Sequence, residues 1–305
     1  MKSLLMFLPA FCLSYMLSMA GNSLDNFKDK QVKASLKKEQ ISLDSFKDKH
    51  VQAILKKMQE AKTDILKLEN LQIDKAQIVY LDGFEKLTNL KTLSLSGNLI
   101  KNVGSVAKLD EMKRQNFSNN QIQYANCLLG LKNLEFLNLS HNKLKYAFCC
   151  SFESMKILDL SYNQIQQLIV SDKCDLLESI DLSSNPITQM TVNVSLPSLK
   201  KFYADGTLLS DLRPLLKINS LEVLSVPNCI HLKTIKSLFR ENALGFDCVL
   251  PKLKELNISE EFLDNESKAL LDKIKAGELK RPFYLNKTFF AGKSSNATNN
   301  HRITI

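Results

Sequence analysis

The stretch "NLEFLNLSHNKL", from Asn133 to Leu144, sets four leucines and one asparagine at fixed offsets of three, two, three and two residues. The five positions are Leu134, Leu137, Leu139, Asn142 and Leu144. Alternate residues of a strand point to the same side, so Leu137 and Leu139 are expected to face a core and their neighbours to face away. The pattern indicates a short strand followed by a turn that carries an asparagine.

The same pattern returns along most of the chain. The position equivalent to Asn142 is filled in turn by Ala76, Asn98, Asn120, Asn142, Asn163, Asn185, Thr207, Cys229 and Glu261. Successive steps between these positions are 22, 22, 22, 21, 22, 22, 22 and 32 residues. Such a regular period indicates stacked repeats, in which neighbouring copies bury each other's apolar side chains.

The repeats resemble the pattern LxxLxLxxNxL of the leucine-rich-repeat family, over about Leu68 to Leu263. The resemblance implies an α/β solenoid, a curved horseshoe with a parallel concave sheet and helical caps at both ends. A period near 22 residues is similar to that of the shorter, helix-poor classes of the family. The family usually binds proteins on its concave sheet. We place the repeats at residues 65–263.

The asparagine of each repeat is predicted to bond backbone groups that the turn leaves unpaired in the core. The family accepts threonine and cysteine at this position, so Thr207 and Cys229 are expected to replace asparagine in part. Ala76 and Glu261 cannot do so, which fits atypical end repeats. Gln115 departs in another way, because it places an amide where other repeats place leucine.

The N-terminus is typical of a secretory signal peptide. An apolar run follows Lys2, and Ser18 and Ala20 occupy the −3 and −1 positions for cleavage before Gly21. Retention as a signal anchor is the alternative, which Pro9 disfavours. No other stretch is apolar for long enough to cross a bilayer. We predict that residues 1–20 are removed and that the protein is secreted or extracellular.

A duplicated segment, residues 21–64, lies between the signal and the repeats. "SLDNFKDKQVKASLKKEQI" (Ser23–Ile41) is followed directly by "SLDSFKDKHVQAILKKMQE" (Ser42–Glu60), with 13 of 19 positions identical. Ser23 and Ser42 are predicted helix N-caps. We interpret the pair as short helices that cover the edge of the first repeat, because an open edge invites pairing with other chains. The alternatives are a basic helical hairpin that docks a partner or an acidic surface, and disorder.

Two helices are predicted towards the C-terminus. A helix on the convex side is indicated by the spacing of Leu232, Ile235, Leu238 and Phe239. The segment "DNESKALLDKIKAG" has Asp264 or Asn265 as N-cap and Gly277 as a stop, so residues 264–285 are predicted to form a capping helix. Residues 286–305 are predicted to be a disordered tail.

Six cysteines remain after signal removal, and an even number in an oxidising compartment permits disulfides. Cys127 and Cys149 each lie seven residues past the asparagine of adjacent repeats, so we predict that they form a bridge. Cys150 and Cys174 form a second candidate pair, while Cys229 pairs or stays reduced in the core. Seven N-x-S/T sequons are glycosylation candidates: Asn116, Asn138, Asn193, Asn257, Asn265, Asn286 and Asn296.

Composition and motifs argue against several functions. The formal charge is +9, but lysines and acids are interleaved, so a nucleic-acid surface is not predicted. The sequence has no Gly-rich phosphate loop, HExxH or nucleophile elbow, and its cysteines lack zinc spacing. A triad of Ser140, His141 and Asp159 can be drawn, but serine is ordinary in its column. We expect no enzymatic activity, no cofactor and no metal.

The outward residues of the predicted sheet give a candidate binding site. Phe136 and Ile157 are adjacent and apolar, and an exposed apolar–aromatic patch ringed by acids is typical of an interaction hot spot. The candidate residues are Phe136, Asn138, His141, Ile157, Asp159, Tyr162, Asp181, Tyr203 and Asp205. We predict that they bind another protein. The alternative is a structural or surface-coat protein that self-associates through its basic N-terminal repeats.

Overall fold

The computed structural model describes residues 41–148, 152–170, 174–242, 245–276 and 284–287. The chain divides into two compact units, Met1–Ser45 and Phe46–Ile305. In the first unit the described residues include a 3-10 turn at Leu43–Ser45. The predicted signal peptide, the first copy of the duplication up to residue 40, and the tail beyond residue 287 lie outside the described residues.

The second unit is built from short strands and turns. Its strands are β1 (Asn70–Gln72), β2 (Thr92–Ser94), β3 (Arg114–Asn116), β4 (Phe136–Asn138), β5 (Ala147–Phe148), β6 (Ile157–Asp159), β7 (Gln167–Val170), β8 (Ser179–Asp181), β9 (Gln189–Val192), β10 (Lys201–Tyr203), β11 (Val223–Val226), β12 (Phe239–Asn242), β13 (Gly245–Cys248), β14 (Glu255–Ile258) and β15 (Tyr284–Lys287). Its helices are α1 (Lys49–Glu60) and α2 (Asn265–Lys275).

One long parallel sheet forms the concave face. In the described residues it has ten strands, in the order β1-β2-β3-β4-β6-β8-β10-β11-β14-β15. Equivalent residues of successive repeats pair in register, so that Leu93, Gln115 and Leu137 form one row. The chain therefore advances by one strand per repeat, as expected for a solenoid.

The opposite side of each repeat uses tight turns or very short strands. 3-10 turns occur at Phe84–Lys86, Gly104–Lys108, Asn126–Gly130 and Arg213–Lys217. Between them, β5, β7 and β9 form a second, three-stranded parallel sheet. A repeat of about 22 residues is long enough for one strand and one 3-10 turn. A 3-10 helix rises further per residue than an α-helix, so it spans the convex side with fewer residues.

The core lies between these two sides. The leucines of the opening stretch are buried, with Leu134, Leu137 and Leu139 at 0% exposure. The prediction that Leu137 and Leu139 face inward is therefore confirmed. Burial of one leucine side chain stabilises the fold by roughly 2 kcal/mol, and stacking makes each repeat depend on its neighbours for that burial.

A ladder of buried asparagines joins the repeats. The Asn142 side-chain oxygen accepts from Ile122 N–H at 2.9 Å, and its amide nitrogen donates to the Phe117 and Leu139 carbonyls. Asn98, Asn120, Asn163 and Asn185 bond in the same way. The predicted role of asparagine is confirmed, because one side chain satisfies backbone groups of two adjacent repeats.

Threonine and cysteine continue the ladder. The Thr207 hydroxyl donates to the Ala204 carbonyl at 2.9 Å, and the Cys229 thiol donates to the same carbonyl at 3.2 Å. Burial raises the pKa of the Cys229 thiol, so the protonated donor form is favoured. Of the two predictions for Cys229, the structure shows the reduced thiol in the asparagine position.

Exposed ion pairs form a second ladder just before the strands. Lys91 pairs with Glu69, Lys156 with Glu135, Lys200 with Glu178 and Lys254 with Glu222, at 2.6–3.2 Å. The residues of each pair come from adjacent repeats, which explains why lysines and acids are interleaved in the sequence. Such exposed pairs each contribute at most about 1 kcal/mol.

The part of the second copy that belongs to the second unit, residues 46–60, packs against the first repeat. Phe46, Val51 and Leu55 are completely buried, and the Phe46 ring meets Phe84 edge-on at 5.9 Å. The N-cap of α1 is Asp48, so the prediction that Ser42 caps this helix is wrong. The Asp48 carboxylate accepts from His50 N–H and also from Val79 N–H of the repeat, and this second bond selects Asp48.

The predicted convex helix near Leu232 is also wrong. The chain there makes a 3-10 turn at Lys236–Leu238 and then the antiparallel hairpin β12–β13. Leu232, Ile235 and Leu238 are buried, but they recur every three residues, which is the period of the 3-10 helix.

The C-terminal helix begins where the sequence indicates. The Asp264 side chain accepts from Ser267 N–H at 2.7 Å and caps α2, and Leu270, Leu271 and Ile274 are buried. The helix ends at Lys275, earlier than the predicted boundary at residue 285. The later β15 lies beside β14 as the last described strand of the long sheet.

Candidate protein-binding face

The outward residues of the long sheet form rows that cross the repeats. Asn138, Asp159, Asp181 and Tyr203 lie in one row across β4, β6, β8 and β10. Phe136 and Ile157 lie in the row before it. All nine predicted binding residues therefore occupy one region of the concave face and its edge.

Phe136 differs from its prediction. It was expected to be exposed, yet only 2% of its surface is accessible. The Arg114 guanidinium, from the preceding repeat, lies over the ring at 4.6 Å from its centroid. Ile157 is only partly buried. Arg114 was missed as a site residue, although its place directly opposite Phe136 in the repeat register was the signal for it.

Asp159 and Asp181 hold similar positions on neighbouring strands. The Asp159 carboxylate accepts from the Ser161 N–H and hydroxyl at 3.0 and 2.7 Å. The Asp181 carboxylate accepts from Ser183 N–H at 2.9 Å. These bonds hold each carboxylate against the turn that follows its strand, so both acids are fixed side by side on the sheet face.

The acids interact electrostatically. Burial, followed by the charges of Asp159 and Asp205, raises the pKa of Asp181 to about 6. Burial, followed by the charges of Glu255, Asp181 and Asp205, raises the pKa of Tyr203. Glu255 is not among the predicted site residues, although the repeat register places it in the row of Lys201 and Val223, two strands from Tyr203.

An aromatic pair lies at the edge of the face. The His141 and Tyr162 rings stack with centroids 4.1 Å apart and an interplanar angle of 9°. Both residues have a positive φ of 54°, at the position that Gly97 and Gly206 fill in other repeats. The Ser140 hydroxyl donates to Asn138 at 2.7 Å. Of the other residues in the Ser140–His141–Asp159 triad, Asp159 accepts from the Ser161 hydroxyl and His141 stacks on Tyr162.

Both predicted disulfides involve Cys149 or Cys150, which lie outside the described residues, so both bridges stay predictions. Cys127 is exposed and Cys174 is buried. The sequons fall into two groups. Asn193 and Asn265 are exposed, whereas Asn116, Asn138 and Asn257 are partly buried on the sheet face. The side chains of Asn286 and Asn296 are outside the described residues.

The described residues show few features of other kinds of functional site. No group of three or more His, Cys, Asp or Glu residues in them is arranged to hold a metal ion. A groove of about 510 Å³ is lined by Lys217, Ser220 and Lys252, away from the predicted binding residues. In the described ranges, no helix combines the length and apolar character that crossing a bilayer requires.

Comparison with known proteins agrees with the repeat architecture. A family model described as the leucine-rich-repeat domain of endo-beta-N-acetylglucosaminidase EndoS matches residues 46–163. The chain has the leucine-rich-repeat fold. No curated protein matches its sequence.

Solved leucine-rich-repeat structures share the fold. The leucine-rich-repeat domain of APL1B is 20% identical, with a TM-score of 0.53, over 83% of this chain and 69% of that one. The LRIM1/APL1C complex is 20% identical, with a TM-score of 0.50, over 63% of this chain and 35% of that one. Internalin C2 of Listeria monocytogenes is 18% identical, with a TM-score of 0.47, over 72% and 80% of the two chains.

Proposed function

We propose that this leucine-rich-repeat protein is a secreted, non-enzymatic module that binds another protein through its concave face. The observation that carries the proposal is the row of Asp159, Asp181 and Tyr203 across three adjacent strands. The stacked pair of His141 and Tyr162 lies at the edge of the same face. Charged and aromatic side chains held on a rigid sheet suit recognition by preformed shape.

Two further facts support a binding role. The solenoid fold is typical of interaction modules, and the solved LRIM1/APL1C structure is by its description a complex of two proteins. The signal-like N-terminus supports secretion. The two exposed sequons, Asn193 and Asn265, lie outside the proposed face and leave it accessible if they carry glycans.

Site-specific photo-crosslinking tests the proposed face. A benzophenone-bearing phenylalanine replaces Tyr162, which is 37% exposed, and in a control variant replaces Tyr124, which is 64% exposed outside the sheet. Both variants are expressed through a secretory pathway and incubated with extracellular material from the source organism. We expect one partner to crosslink from position 162 and not from position 124. Equal crosslinking at both positions, or crosslinking at position 124 alone, contradicts binding through the concave face.

A second variant tests the row of Phe136 and Ile157. Phe136 is buried, so a charge there would destabilise the fold. A loss of binding would then reflect unfolding and not the loss of a contact with the partner. Ile157→Ser is the milder variant of the same row. We expect it to keep the melting temperature and to weaken the crosslink from position 162.

A further inference from the structure

Four residues in the middle of the concave face form an acidic patch, which we define as Asp159, Asp181, Tyr203 and Asp205. The first three lie in register on adjacent parallel strands. Neighbouring strands are about 5 Å apart, so two carboxylates and a phenol ring stand side by side. Asp205 follows Tyr203, and its N–H donates to the Ser183 hydroxyl at 3.1 Å.

The described residues leave Asp159 and Asp181 without an ion-pair partner. Lys156, just before β6, pairs with Glu135 instead, and Lys200, just before β10, pairs with Glu178. Lys201 faces the same side one row away, opposite Ser179. Two neighbouring carboxylates without a cation repel each other, so a positively charged group from a partner would lower the free energy of the patch.

A second observation points to a donor-rich ligand. The Ser179 side chain lies on the same face of β8 as Asp181, two residues before it, and is only 5% exposed. Its hydroxyl has no hydrogen-bond partner among the described residues. The side-chain oxygen of Asn257, in the row of Tyr203, is also buried without a partner. Buried polar atoms are normally bonded, so hydrogen-bond acceptors remain open on this face.

We propose that the acidic patch binds an arginine side chain carried by an extended basic segment of the partner protein. A guanidinium is planar, presents five N–H donors and bonds carboxylates in pairs. Its flat face can also stack on the Tyr203 ring, which a lysine ammonium does less well. The inference rests on the proposed protein-binding function and names the chemistry that the partner must supply.

The test uses a fluorescent hexa-arginine peptide, with hexa-lysine and hexa-glutamate for comparison, and measures binding to the mature chain by anisotropy. The variant Asp159→Asn/Asp181→Asn keeps the shape of both side chains and their serine bonds. Each change places an asparagine two residues before a serine, Ser161 or Ser183, and so creates an N-x-S sequon. All chains for this assay are therefore produced in a bacterial host that attaches no N-glycans. The matched control is Asp110→Asn/Glu111→Gln, which removes the same charge from exposed residues off the sheet. We expect the patch variant to weaken hexa-arginine binding about tenfold and the control variant to leave it within about twofold.

The pH dependence of hexa-arginine binding distinguishes binding at the acidic patch from nonspecific attraction to other acidic residues. The titratable groups beside Asp181 are Asp159 on β6, directly opposite it, and Tyr203 and Lys201 on β10. Asp205 follows two residues after Tyr203. With a pKa of about 6, Asp181 gains a proton between pH 7.5 and pH 5, so hexa-arginine binding should weaken over that range. The single variant Asp181→Asn should bind weakly at both values and lose most of this pH dependence.

Equal binding of hexa-arginine to the wild-type chain and the patch variant would overturn the arginine subsite. Binding of hexa-lysine as tight as that of hexa-arginine would also overturn it. These failures are distinct from failure of the proposed function: a partner that still crosslinks from position 162 while hexa-arginine does not bind leaves concave-face binding in place. Specific hexa-arginine binding without any crosslinked partner supports the subsite and counts against the partner-binding proposal.

Discussion

Asn142 shows how one side chain connects two repeats. It accepts one hydrogen bond and donates to the carbonyls of Phe117, Leu139 and Ser140, all within 3.2 Å. Alanine at this position would leave several buried backbone groups unpaired, at about 1–3 kcal/mol for each group that water cannot reach. The ladder therefore holds the turn of one repeat against the strand of another.

We expect Asn142→Ala to lower the free energy of unfolding by about 2–4 kcal/mol, measured by urea denaturation. The control is Asn133→Ala, because the exposed Asn133 makes one bond, to the Asp110 carbonyl at 2.9 Å. That control should lose less than about 1 kcal/mol. Equal losses for the two variants would contradict a special role for the ladder.

Gln115 is the residue at which the repeat pattern fails. It is completely buried in the row of Leu93 and Leu137, and both of its side-chain polar atoms lack hydrogen-bond partners among the described residues. We expect Gln115→Leu to raise the free energy of unfolding by about 1–3 kcal/mol, because it removes that penalty. The reverse change in the same row, Leu93→Gln, should destabilise the chain. No gain for Gln115→Leu would indicate that the amide is satisfied in solution.

At the scale of elements, Asp48 joins α1 to the first repeat. One carboxylate oxygen accepts from His50 and Val51 N–H groups, and the other from Val79 and Tyr80 N–H groups. Burial alone would raise the pKa of Asp48, but these four bonds outweigh it and hold the pKa below the ordinary value of 3.8. The ionised carboxylate therefore stabilises the folded state.

We expect Asp48→Asn to lower the free energy of unfolding at pH 7 by about 1–3 kcal/mol, since the amide has only one accepting oxygen. A lowered folded-state pKa gives stability that is present above the unfolded value of 3.8 and lost as pH falls through the folded value. The difference in the free energy of unfolding between wild type and Asp48→Asn should therefore become smaller below about pH 4. Asp82→Asn, at an exposed position, is the control. A gap independent of pH would show that the charge is not involved.

At the scale of the whole molecule, stability depends on covering the end of the solenoid. Each repeat is stabilised by its neighbours, so a chain without α1 and Phe46 would expose the Phe84 ring, which packs edge-on against Phe46. We compare chains that begin at Gly21, Ser42 and Thr63 by melting temperature and by light scattering after size exclusion. The first two should melt together as monomers, while the third should melt lower and associate.

The same comparison tests the surface-coat alternative. Self-association of the Gly21 chain that is absent from the Ser42 chain would assign assembly to the first copy of the duplication. It would favour a structural role over a cap. Equal behaviour of these two chains, with loss only in the Thr63 chain, would assign the capping role to the second copy.

The sequence by itself determined the solenoid, the inward leucines, the asparagine ladder and the start of the C-terminal helix at Asp264. These features follow from contacts that recur between neighbouring repeats, so a regular period is sufficient to reveal them. It also placed Asp159, Asp181 and Tyr203 in one row, because the register of equivalent residues follows from that period.

Tertiary structure alone decided the features that depend on one particular neighbour. Phe136 is buried because the Arg114 side chain lies over it, and α1 begins after Asp48 because the N–H groups of Val79 and Tyr80 reach that carboxylate. Likewise, the acidity of Asp181 depends on its burial and on charges from two other repeats. Periodicity specifies which residues are equivalent, whereas side-chain packing and distance determine which of them are exposed, capped or charged.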